Sequence, residues 1–159
     1  MRRTLWLGLI PMLLAVVSLP QTVWAHCQVP CGIYDDAARI DRMYEDASTI
    51  EKAIGQIVEL AGKTDAQSAN QLIRWVTTKE EHASNIITIV AEYFLTQKVK
   101  PVEPGADGYD AYLKRLADHH RVMTAAMKTK QNADLQYVTT LRTAIDSLAQ
   151  HYDTTGHEH

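Results

Sequence analysis

Residues 36–61 read DAARIDRMYEDASTIEKAIGQIVELA. In this stretch Ile40, Met43, Tyr44, Ala47, Ile50, Ile54, Ile57 and Ala61 recur at spacings of three and four, so the apolar side chains form one stripe on a helix. Gly62 supplies the stop, because glycine enters the left-handed backbone that ends helices. A helix with a single apolar stripe has to bury it against other elements.

The following sequence repeats the pattern. A second helix is expected from Asp65 as N-cap to about Leu95, with Leu72, Trp75, Val76, Ala83, Ile86, Val90 and Tyr93 facing inward. Pro101, Pro104, Gly105 and Gly108 interrupt it, and a third stripe follows in Tyr109, Tyr112, Leu113, Leu116, Met123 and Met127. Asn132 reads as a cap between the third helix and a fourth, which bears Leu135, Val138, Leu141, Ile145 and Leu148. No segment alternates as a strand. The fold class expected is therefore all-α, an antiparallel up-down four-helix bundle over residues 35–152, with a flexible tail at 153–159.

In front of the bundle, residues 1–25 combine Arg2-Arg3, an apolar run from Leu5 to Leu19 and a Val23-Trp24-Ala25 end, the three parts of a cleaved secretory signal. The apolar run is short of the ~20 residues of a spanning helix, so the processed protein is expected free of the membrane, in the periplasm or outside the cell. Arg2-Arg3 leaves open either the general or the twin-arginine export route. Removing the leader leaves 14 basic against 19 acidic residues, a formal charge of −5. That charge argues against nucleic acid as a partner. One domain is expected at this length.

Cleavage after Ala25 makes His26 the first residue of the run His26-Cys27-Gln28-Val29-Pro30-Cys31-Gly32-Ile33-Tyr34. A free amine, an imidazole, a backbone amide and two thiols then lie within six residues, a hook able to enclose a transition metal. Thiolates select soft metals, and amine and deprotonated amide donors favour square-planar nickel(II) or copper(II). Pro30 stiffens the return of the chain to Cys31, and Gly32 lets the backbone leave without a Cβ clash. A simple Cys27–Cys31 disulfide is the competing reading for an exported chain.

The string His-Cys-x-x-Pro-Cys-Gly-x-Tyr at a processed amino terminus resembles the nickel-dependent superoxide dismutases, and a weaker likeness continues through Arg39-Ile40, Lys79-Glu80-Glu81-His82 and Tyr93-Phe94. The resemblance implies an oxidoreductase that disproportionates superoxide to oxygen and hydrogen peroxide, with a nickel ion cycling between Ni(II) and Ni(III). It implies that His26 gives its amine and an axial imidazole, Cys27 its amide nitrogen and thiolate, and Cys31 the second thiolate. It places Tyr34 over the open axial face, with the backbone N–H groups near Gln28 and Cys31 helping to orient the anion. Asp41 then steadies the axial histidine where the family has a glutamate, and His82 partners that carboxylate where family members can have an arginine. The family is homohexameric. A signal or maturation peptidase is a further implied partner, because the first ligand exists only after cleavage.

Two other readings stay open on sequence. One is a non-catalytic exported bundle that binds or delivers copper or nickel through the same hook; the other is a helical interaction module with one disulfide. The adjacent His119 and His120 point to different sides of a helix and are expected at the surface, while His157 and His159, near His151, read as a flexible end in preference to a weak metal-sequestering one. Glu-x-x-His pairs of a di-iron bundle and a Cys-x-x-Cys-His haem site are missing. Lys79, Lys98 and Lys100 are candidates for local attraction of an anion. Trp75 and the methionines are expected in the core.

Overall fold

The computed structural model describes residues 28–152. Within them lie α1 (Asp36–Leu60), α2 (Ala66–Thr88), a π-helical continuation of α2 (Ile89–Lys98), α3 (Tyr109–Gln131) and α4 (Leu135–Ala149), with no strand among the described residues. The leader, His26, Cys27 and the 153–159 tail lie outside the described residues. No helix among the described residues is long and apolar enough to cross a membrane.

Local chemistry sets the helix ends. Asp35 caps α1 by accepting the Ala38 N–H at 2.9 Å, and Asp65 caps α2 by accepting the Ser68 N–H at 2.9 Å and the Ser68 hydroxyl at 2.6 Å. The Asn132 cap between the last two helices is the one that closes α3, its amide donating to the Lys128 carbonyl at 2.9 Å, and Asp134 caps the next helix. Gly62 holds φ at 85°, as a stop after α1 requires.

The helices form a four-helix bundle in which each packs on the next and α4 returns to α1. Residue numbers that rise along α1 fall along its neighbours: Asp36 meets Tyr93 and Asp46 meets His82 on the α2 side, and Tyr44 meets Asp146 and Glu51 meets Arg142 on α4. The core is built of Ile40, Met43, Ile50, Ile54, Ile86, Val90, Phe94, Val122, Leu141, Ile145 and Leu148. Burial of this many large apolar side chains is the main stabilising term, at about 1.5–3 kcal/mol each.

The second helix reaches past Leu95 by widening into the π-helical turn. There Val99 N–H donates to the Phe94 carbonyl at 2.8 Å and the Thr96 hydroxyl to the Ala91 carbonyl at 2.7 Å, both five residues back. Such segments often sit at functional sites, because the extra residue per turn re-aims side chains. Here the turn brings Tyr93, Phe94 and Gln97 to the inner face together.

Several inward-facing expectations are corrected. Val76, Leu113, Met127 and Leu135 are exposed, and Trp75 is half-buried with Lys52 Nζ 5.9 Å from its ring centroid. The inner face of α3 is instead Asp118, His119, Val122, Ala125, Ala126 and Thr129. Half of these are polar, so apolar periodicity alone selected the neighbouring edge of the helix. His119, expected at the surface, is fully buried.

Candidate metal centre

The hook enters the described region at Gln28 and turns sharply. Ile33 N–H donates to the Pro30 carbonyl at 3.1 Å, closing a turn whose two central residues, Cys31 and Gly32, have φ of 43° and 96°. Glycine takes such a φ at no cost, while a cysteine there is held by its surroundings. The holding group is Gln97. Its Oε1 accepts the Cys31 N–H at 3.3 Å, and its Nε2 donates to the Val29 carbonyl at 3.1 Å and to the Glu92 carbonyl at 3.0 Å. Gln28 Nε2 adds a bond to Glu92 Oε2 at 3.0 Å. The loop is thereby fastened to the π-helical turn, while the Cys31 side chain remains exposed. The Cys31 N–H, expected to help orient the anion, is instead committed to Gln97, while Cys31 itself is exposed.

Tyr34 stands where the loop meets α1. Its ring meets the Tyr93 ring edge-on, centroids 5.8 Å apart, and Lys98 Nζ lies 4.5 Å from the Tyr34 centroid. Lys98 also pairs with Asp36 at 3.0 Å, and Asp36 accepts the Tyr93 hydroxyl at 2.7 Å. Burial, reinforced by this bond to the Asp36 carboxylate, pushes the Tyr93 phenol well above its ordinary range. Tyr93 thus stays protonated at any working pH. Arg39, 5.1 Å from the Tyr93 centroid, completes the surroundings.

The carboxylate that His82 meets is Asp46, where the resemblance implied Asp41. Asp41 is an exposed residue of α1, one turn past Ala37. His82, on α2, has its Nδ1 2.5 Å from Asp46 Oδ1, and Asp46 is fully buried with Arg42 Nε 3.7 Å from its second oxygen. Sequence reading passed over both Asp46 and Gln97. Nothing in local spacing marks Gln97; Asp46 carries a faint signal as an acid beside the apolar stripe of α1.

Among the described residues, no three His, Cys, Asp or Glu side chains gather into a metal site. The donor that the structure does present, the exposed Cys31 thiol on a pinned turn, is of the soft type that suits nickel and not magnesium or calcium. The cavity beside it is a cleft lined by Val29, Pro30, Arg39, Thr88, Glu92 and Tyr93, so the loop lies against the bundle without burying Cys31.

Comparison with curated proteins and with solved structures returns no match. The family model described as nickel-containing superoxide dismutase matches residues 21–155, which takes in the whole hook and all four helices. This chain belongs to the nickel-containing superoxide dismutase family, enzymes that disproportionate superoxide with nickel as their cofactor.

Proposed function

We propose that the nickel of this superoxide dismutase is held by the processed amino terminus, by the His26 amine and imidazole, the Cys27 amide nitrogen and thiolate, and the Cys31 thiolate. The observation that carries this reading is the Cys31–Gly32 turn, pinned by Gln97 with Cys31 exposed, inside the segment matched by the family model. When bound, nickel supplies a redox couple that accepts an electron from one superoxide and returns it to the next. The protein's part is to set the donors and admit the anion. Thiolate and amide donors bring the couple into the range superoxide can both reduce and oxidise, and Tyr34 with Lys98 beside it receives the anion at the open face.

Asp41 steadies the His26 ring in this reading, and His82, held by Asp46, stiffens the α1–α2 seam behind it. The bundle runs up-down-up-down behind the hook, assembles as a homohexamer, and is exported to the periplasm or beyond after a peptidase cuts at Ala25. Family membership gives the non-catalytic metal-delivery alternative no support.

Mass spectrometry of the mature amino terminus, with metal analysis and a dismutation assay on the same sample, tests the proposal. His26 as first residue, about one nickel per chain and activity are expected. A chain extended by one residue before His26 should fold and be inactive, because a peptide nitrogen cannot replace the primary amine. Full activity in the extended chain would overturn the hook as drawn.

A further inference from the structure

A column of rings leads from the hook into the bundle. Tyr34 meets Tyr93 at 5.8 Å between centroids, Tyr93 meets Phe94 at 4.9 Å, and Phe94 meets Tyr152 at 4.4 Å. At its inner end the Tyr152 hydroxyl lies 2.8 Å from His119 Nε2, and His119 Nδ1 lies 2.7 Å from the Arg115 carbonyl. A carbonyl only accepts, so Nδ1 carries the proton and Nε2 is left as a base facing the phenol. Burial holds the His119 pKa below its ordinary value, which keeps the ring neutral and able to accept. The superoxide reading gives this pair, a buried imidazole and a half-buried phenol, no task.

We infer that Tyr152 and His119 form a proton-coupled redox pair that draws oxidising equivalents away from the hook along the Tyr34–Tyr93–Phe94 column. The reaction itself makes the hazard: hydrogen peroxide that gains one electron from superoxide yields hydroxyl radical, hydroxide and oxygen beside two oxidisable thiols. Hydroxyl radical takes an electron from Tyr34 or Tyr93 and becomes hydroxide. Tyr152 refills that hole with an electron passed across Phe94, and its phenolic proton moves to His119 Nε2. The result is a neutral tyrosyl radical and an imidazolium. A later superoxide returns one electron, leaves as oxygen, and the proton goes back to Tyr152. Phe94 is too hard to oxidise to hold the charge, so it serves as the bridge. The starting point of the column rests on the hook as the metal centre; the pair itself rests only on the geometry.

The test uses the processed, nickel-loaded enzyme exposed to hydrogen peroxide during superoxide turnover, freeze-quenched and read by electron paramagnetic resonance. Tyrosine deuterated on its ring separates a tyrosyl signal, which it narrows, from any metal signal. Wild type should show the tyrosyl signal. Tyr152→Phe should lose it and accumulate Cys31 sulfinic acid severalfold faster by mass spectrometry, with its initial dismutation rate unchanged. His119→Gln should lower the radical yield, and Tyr137→Phe should change nothing. A wild type with no tyrosyl signal, or a Tyr152→Phe enzyme with the same signal and the same Cys31 oxidation, overturns the inference. If Tyr152→Phe fails to fold, fluorotyrosine incorporation, which shifts the hyperfine pattern of whichever ring holds the radical, gives the decision with and without His119→Gln. Activity in these samples reports separately on the hook.

Discussion

Gln97 Oε1 lies 3.3 Å from the Cys31 backbone nitrogen, so one amide on the π-helical turn fixes the backbone that presents the thiol. The same side chain is nearly buried and donates to two carbonyls, Val29 and Glu92. Gln97→Ala leaves the two hook groups, the Cys31 N–H and the Val29 carbonyl, without their partner. At about 1 kcal/mol for each lost bond, nickel affinity should fall roughly thirtyfold. Gln97→Glu should be worse, because a carboxylate cannot donate to the Val29 or Glu92 carbonyls. Competition between the protein and a chelator for nickel, with Tm measured alongside, checks this; equal affinity in all three proteins would mean the hook sits without this anchor.

Lys98, whose Nζ lies 4.5 Å from the Tyr34 ring centroid, pairs with Asp36 at 3.0 Å. The lysine cancels a carboxylate that would otherwise face an incoming anion, in a chain whose formal charge is −3. Lys98→Gln should slow the reaction severalfold and make its rate rise with added salt, because screening then relieves repulsion. Asp36→Asn in the same chain keeps an acceptor for the Tyr93 hydroxyl and should restore most of the rate. Pulse-radiolysis rates across a salt series give the sign directly.

The helices were legible because each carries enough apolar residues at three-and-four spacing to declare a face, as Ile40, Met43, Ala47, Ile50 and Ile54 do in α1. The inner face of α3 was not, because Asp118, His119 and Thr129 occupy it and polar residues leave no hydropathy signal. The hook's Cys31 was legible from residue type and its place in the run from His26, whereas Tyr34 entered only through the family resemblance. The hook's anchor was not legible: Gln97 is 66 residues from Cys31, and only the π-helical turn brings it inward. Lys79, read as one of the candidates for attracting an anion, is buried and serves the bundle instead.

That lysine gives a stability prediction. Lys79 Nζ donates to the Thr129 carbonyl at 2.7 Å and to the Lys130 carbonyl, two of the acceptors left open where α3 ends. Its charge also opposes the negative end of the helix dipole. Lys79→Met keeps the aliphatic length but leaves both carbonyls without this donor, at a cost of about 1–3 kcal/mol. Chemical denaturation should show that loss, while the dismutation rate per bound nickel stays at the wild-type value. A drop in rate with unchanged stability would instead return Lys79 to the substrate path.

Asp118 ties α3 to the end of the chain beyond α4. Burial alone would raise its pKa, but bonds from His151 at 2.7 Å, Lys114 at 3.0 Å and Arg121 outweigh it and hold the carboxyl at about 2 against an ordinary 3.8. A carboxyl depressed in the folded state adds stability that is complete above its unfolded pKa and is lost as pH falls through the folded one. Asp118→Asn should therefore lower Tm at neutral pH. The gap from wild type should persist down to about pH 4 and shrink as the wild-type carboxyl takes up its proton near pH 2. Calorimetry of both proteins across that range checks the window. A gap that stays constant to the lowest pH would assign the loss to altered packing around residue 118 and not to its charge.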